Sequence, residues 1–120
     1  MPATLDPVRA RSFATEMYTS APVGIQFVDF AGKILDVNST QLELLTLAPD
    51  EYLNHNFAEF FADLDTAAVF LTRIRKGGWV HELPADLVAR DGSLRSVSLY
   101  SKPLASGGLV WIIERGEESR

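Results

Sequence analysis

The sequence predicts an α+β fold: a five-stranded antiparallel sheet with short helices on one face and an N-terminal flanking helix. Three observations carry that expectation. Residues 24–41, GIQFVDFAGKILDVNSTQ, read as a β-hairpin that runs into a capped helix. Residues 79–114 hold three apolar stretches, divided by Asp91-Gly92 and by Ser106-Gly107-Gly108, which are tight-turn residues. Between the two groups the apolar spacing is helical. Strands early and late, with helices between, suit a sheet whose helices gather on one side.

Taken in order, Asp6-Pro7 opens a helix, with Asp as cap and Pro in the first turn. Ala10, Phe13, Ala14, Met17 and Tyr18 fall on one helical stripe. Ser20-Ala21-Pro22 ends it, because the residue before Pro avoids the α region. The stripe either packs on its own sheet or contacts a second copy. Ile25 to Val28 is a strand, Asp29 to Gly32 a turn in which Gly32 can take positive φ, and Lys33 to Val37 a second strand. Asn38 and Gln41 have capping-box spacing ahead of Leu42, Leu44 and Leu45.

Asp65 is expected to cap the longest internal helix, with Ala67, Phe70, Leu71 and Ile74 on its apolar face and Gly77-Gly78 as its stop. Trp79 to Ala89 alternates, Leu83, Ala85, Leu87 and Ala89 on one side, Pro84, Asp86, Val88 and Arg90 on the other. Pro84 cannot donate to a ladder, so it marks an edge, an end or a bulge. Leu94 to Leu104 follows, with Val97, Leu99 and Ser101 on one face, and Leu109 to Glu114 closes the sheet.

At 120 residues the chain suits one domain with one core, and 47% hydrophobic residues are too many for disorder. A net charge of −5 disfavours nucleic acid as a direct partner. Without cysteine there is no disulfide and no thiolate metal site. No apolar run approaches the ~18 residues of a membrane span, and no signal-peptide pattern is present, so a cytoplasmic location is expected. His55 and His81, the only histidines, lie far apart in sequence with no ligand-like spacing. Asp63 and Asp65 read as helix caps, and no nucleophile elbow or phosphate loop occurs. Catalysis is therefore not expected. An enzyme reading would have to use His81, Asp86 or Tyr100, which show no pairing by spacing.

Residues 24–41, with their strand, Asp-x-x-Gly turn, second strand ending in Asn and short helix, resemble the opening of a PAS domain. Further pieces follow in the family's order: Pro49-Asp50-Glu51-Tyr52-Leu53 for its small acidic helix, Phe57 to Phe61 and Asp65 for the next turn and helix start, Arg90-Asp91-Gly92-Ser93 for its long hairpin, and Ile112-Ile113-Glu114-Arg115 for the last strand's exit. The resemblance covers Ala21 to Arg115. Thr46-Leu47 stand where the family often has Gly-Tyr, and Asn54 stands for its glycine after the acidic helix.

The resemblance implies a flanking helix over 1–20, a PAS domain over 21–116, and a tail or linker over 117–120 leading to an output domain. It implies signal transduction, with a two-component or transcriptional output. Haem-binding relatives place a histidine on the long helix, and Asp65 to Lys76 holds none. The light-driven flavin adduct needs a cysteine where Asn56-Phe57-Ala58 stands. No cofactor is therefore expected, and non-covalent flavin or haem is disfavoured.

Such a fold keeps a ligand between sheet and helices. The expected wall is Phe27, Leu45, Tyr52, His55, Phe57, Phe61, Phe70, Leu87, Leu99, Ser101 and Trp111, with Tyr52, His55, Ser101 and Gln26 as orienting polar groups. The same aromatics could equally be a filled core. A homodimer is expected through Ala10, Phe13, Met17, Val110 and Ile112. The function that follows is a sensory module binding a small, mostly apolar ligand and relaying through dimer contacts. The alternative is a ligand-free dimerisation module.

Overall fold

The computed structural model describes residues 15–116. Residues 15–20 are helical (α1). The chain continues through β1 (Gly24–Asp29), β2 (Ile34–Val37), α2 (Ser39–Leu45), α3 (Pro49–Tyr52), a 3₁₀ turn (Phe57–Phe60), α4 (Leu64–Arg75), β3 (Val80–Val88), β4 (Leu94–Leu104) and β5 (Gly107–Glu114). The expected start of the flanking helix, with Ala10 and Phe13, lies outside the described residues, as does the expected tail from 117.

The five strands form one antiparallel sheet in the order β2-β1-β5-β4-β3. The early hairpin joins the late strands through β1 and β5, in register from Gly24↔Ile112 to Asp29↔Gly107. The packing side of the sheet is set by burial. Gly24, Gln26 and Val28 of β1, Val97, Leu99 and Ser101 of β4, and Val110 and Ile112 of β5 are buried. Beneath the helices they meet Leu45, Tyr52, Phe57, Phe61, Ala67, Phe70 and Ile74 in one core.

Both sheet edges are protected from pairing with another chain. The Ile34 N–H donates to the His55 carbonyl (2.9 Å), and the Asn54 N–H to the Ile34 carbonyl (2.8 Å), which covers β2. Asn54 takes φ +69, the left-handed turn its place suggested. On β3, Pro84 sits at the free edge as its chemistry requires, and a bulge between Val80 and Leu83 leaves Glu82 at φ +54. Leu83, Ala85, Leu87 and Ala89 point inward as their alternation predicts.

Asp63, not Asp65, caps α4: its Oδ1 accepts the Asp65 N–H at 3.0 Å. Either acid suits the positive end of the helix; backbone geometry at Asp63 (φ −118, ψ 114) decides which one turns back. Gly108 is more than the turn residue it resembled: a Cβ there would lie 2.9 Å from Ile74 Cδ1, so its bareness lets α4 close onto β5.

Candidate functional site

The interior between sheet and helices is aromatic. Phe57 stacks edge-on against Phe61 (4.8 Å between ring centres) and Phe70 (5.8 Å), and all three are buried. Leu45, Leu87 and Leu99 are fully buried against the same cluster.

Into this apolar space project four polar side chains. Gln26 and Ser101 point in from the sheet, Gln41 from α2 and Tyr52 from α3, and all four are 0% exposed. The Tyr52 hydroxyl donates to Gln26 Oε1 (2.6 Å) and accepts from Gln41 Nε2 (3.2 Å), so one phenol joins two amides across the sheet–helix boundary. Ser101 belongs to the same cross-strand row, separated from Gln26 by Val110. Gln26 Nε2, Gln41 Oε1 and Ser101 Oγ have no hydrogen-bond partner among the described residues. Leaving such a buried group unpaired costs about 1–3 kcal/mol.

Burial pushes the Tyr52 phenol above its ordinary value, against the opposing pull of the two glutamine hydrogen bonds. Burial, and then the nearby Asp36 carboxylate, do the same to Tyr18. A raised phenol favours folding while the unfolded chain's tyrosine is neutral. That contribution falls as pH rises past about 10 and is gone once the folded phenol itself ionises. Tyr52→Phe is expected to lower stability at pH 7 by about 1–3 kcal/mol by stranding Gln26 Oε1 and Gln41 Nε2. It is also expected to shrink the alkaline loss, leaving the part due to Tyr18. Urea unfolding at pH 7 and pH 10.5 reads both effects; equal alkaline losses in the two proteins would refute the second.

The rest of the expected wall divides. Leu45, Tyr52, Phe57, Phe61, Phe70, Leu87, Leu99 and Ser101 lie together inside. Phe27, His55 and Trp111 do not. Phe27 is on the outer face of β1, stacked on Tyr18 (6.1 Å), because Gln26 and Val28 take the inner positions. Trp111 is on the outer face of β5, parallel to Tyr100 (6.1 Å), whose ring also meets His81 edge-on. His55 is an exposed turn residue whose Nδ1 lies 3.1 Å from Glu59 Oε1. Val110 and Ile112, expected on a dimer surface, are 0% and 1% exposed beneath the helices. The reason is strand phase: residues 109–113 are all apolar, so only pairing with β1 and β4 reveals that Leu109, Trp111 and Ile113 face out. Met17 is 71% exposed, so its side chain does not pack on this sheet.

Gln41 was missed as a core group. Its capping-box spacing is half realised: the Asn38 Oδ1 accepts the Gln41 N–H (3.2 Å), but the Gln41 side chain turns to Tyr52 instead. The signal available was its position four before Leu45, on the buried face of α2. Arg90 and Arg95 were missed as well. The Arg90 N–H and Nε bond the Leu45 and Thr46 carbonyls, and Arg95 Nε bonds that of Leu44, so the β3–β4 hairpin closes the end of α2. Thr46 there holds φ +56, where the family often has glycine.

Among the described residues no three of His, Cys, Asp and Glu gather as metal ligands, and no helix is long and apolar enough to cross a membrane.

A family model described as the PAS fold matches residues 14–115. Among similar solved structures is a domain of a sensory box sensor histidine kinase/response regulator from Geobacter sulfurreducens, 25% identical, with TM-score 0.75 over 92% of this chain and 98% of that one. The PAS domain of an HTR-like protein from Haloarcula marismortui is 21% identical, with TM-score 0.72 over 90% and 92%. The PAS domain of a LuxR-family transcriptional regulator from Burkholderia thailandensis, in complex with ethanol, is 15% identical, with TM-score 0.70 over 83% and 95%. No curated protein matches the chain.

Proposed function

This chain belongs to the PAS family, and from that premise we propose that it is a sensory module that binds a small, mostly apolar ligand between sheet and helices and relays its presence to a partner or output domain through dimer contacts. Sensory and signalling domains of its kind occur in sensor kinases and regulators. The observation that carries the ligand reading is the buried set Gln26, Gln41 and Ser101, each with an unpartnered polar atom inside an otherwise apolar, aromatic-rich interior. A ligand that satisfies those atoms favours the arrangement it fits, and the populations shift by its differential affinity. A similar domain that holds ethanol supports a small occupant.

The outer sheet face favours the second reading, a dimerisation module without ligand. Phe27, Tyr100 and Trp111 are half-buried on that face, where Tyr18 of α1 stacks on Phe27, and Ile113 is 37% exposed. Dimer contact through this face, rather than through Val110 and Ile112, is common to both readings. Native mass spectrometry with organic extraction separates them. A ligand that co-purifies in stoichiometric amount supports the sensor; a dimer that yields none, and keeps its mass after Ser101→Ala, refutes it. Trp111→Asp is expected to weaken a dimer at least about tenfold by sedimentation, since aromatic anchors dominate such contacts. Unchanged mass would remove the outer face as the interface.

A further inference from the structure

The ligand reading leaves open how a molecule would reach the buried amides and what chemistry it would carry. A groove of about 280 Å³ lies at one end of the sheet, between residues 22–24, α2 and the end of β5. Pro22, Val23, Leu44 and Ile112 form its apolar walls, and Thr40, Glu43 and Glu114 its polar ones. Its lining reaches Gly24 and Ile112, which pair across β1 and β5 and belong to the inner, buried face of the sheet. The groove thus meets the interior at the point where the sheet runs out.

Gly24 is the informative residue there. A Cβ on it would lie 2.4 Å from Gln41 Oε1, so the Gln41 amide rests on bare backbone directly behind the groove. That oxygen is an acceptor without a partner among the described residues. Two residues along β1 is Gln26, whose Nε2 is a donor without one. Both amides hydrogen-bond to the Tyr52 hydroxyl, Gln41 through Nε2 and Gln26 through Oε1, so one phenol links the residue with the free acceptor to the residue with the free donor.

We propose that this groove is the ligand's way in, and that the ligand is a small neutral molecule with a hydroxyl or carboxamide head on a short apolar body, the head docking between Gln41 Oε1 and Gln26 Nε2. The proposal rests on the ligand-binding reading above and adds the portal and the chemical class. A head that serves both atoms must donate and accept, which hydroxyls and primary carboxamides do. An ammonium cannot accept from Gln26. A carboxylate cannot donate to Gln41, and it would pass Glu43 and Glu114. A halide or alkane leaves both amide atoms unpaired.

The test uses the full chain and the side-chain amide signals of Gln26 and Gln41 in ¹⁵N NMR. Propanamide and 1-propanol are expected to shift both signals saturably. 1-Chloropropane and propylammonium are expected to bind at least about tenfold more weakly, the consequence of a buried amide atom left unpaired. Val23→Trp, which fills the groove away from the amides, is expected to abolish the propanamide response, as is Gly24→Ala through displacement of the Gln41 amide. Retention of the full response in Val23→Trp overturns the portal. Equal binding of chloropropane, or tighter binding of propylammonium, overturns the chemical class while leaving ligand binding intact. No response to any probe, in a protein that still co-purifies with a ligand, overturns this inference and spares the sensor reading. No response and no co-purifying ligand removes both.

Discussion

Gly107→Ala is expected to cost about 4 kcal/mol or more, a large share of the stability of a domain of this size. Gly107 holds φ +154, and a Cβ on it would lie 2.0 Å from the Val28 carbonyl oxygen and 2.7 Å from Asp29 Cα. Those are backbone atoms of the neighbouring strand, so no rotamer change relieves the collision. The strand they belong to is β1, and the β1–β5 ladder is what joins the early hairpin to the late strands. A methyl group at Gly107 therefore pries at the seam of the whole sheet. Gly92→Ala separates collision from conformational strain: Gly92 has φ +87 but nothing within 4 Å of its Cβ position. It is expected to cost only about 1 kcal/mol. Urea unfolding of both variants is the measurement. A Gly107 variant no worse than the Gly92 variant would mean that β1 and β5 do not approach as described.

The second large effect is at Asn38. Its side chain is 2% exposed and fully used. Oδ1 accepts from the Ile25 N–H (3.0 Å) and the Gln41 N–H (3.2 Å), while Nδ2 donates to the carbonyls of Tyr18 (2.9 Å) and Val23 (3.0 Å). One amide thus ties the flanking helix, β1 and the start of α2. Asn38→Ala is expected to cost about 3–4 kcal/mol, a lost cap together with stranded backbone groups. Asn38→Asp keeps the acceptor but turns a carboxylate toward two carbonyl oxygens. Burial and that repulsion raise its pKa above the ordinary carboxylate value near 4. Its protonated form can donate, so this variant is expected to gain stability relative to wild type as pH falls from 7 toward 4.5, and to lose it as pH rises. A pH-independent difference between the Asp variant and wild type would contradict the assigned hydrogen bonds.

The contrast between those two residues shows what could be read in advance. Asn38 was legible as a helix cap, because Asn three residues before Gln and an apolar run has a local meaning. Its bonds to Tyr18 and Val23 were not, since nothing local says which chain segment will pass overhead. The strands β3 and β4 were legible to the face: alternation in each set Leu87, Leu99 and Ser101 inward. In β1, Phe27 and its neighbour Gln26 were both expected to face inward, which alternation forbids. Ile25 and Phe27 are the more apolar pair, yet Gln26 and Val28 are buried, because Tyr52 supplies a hydrogen bond for Gln26 and Tyr18 covers Phe27. In β5 there was no alternation to read.

Local grammar in the chain was therefore enough to establish the element order, the family and the aromatic interior, since turn residues, caps and periodicity act over a few positions. The partition of Trp111, Val110 and Ile112 between the two faces, the meeting of Gln26, Gln41 and Tyr52 at one oxygen, and the groove behind Gly24 were decided by tertiary pairing. A strand's face is a matter of register with distant neighbours, and a buried amide's fate depends on which partner the fold brings within about 3 Å.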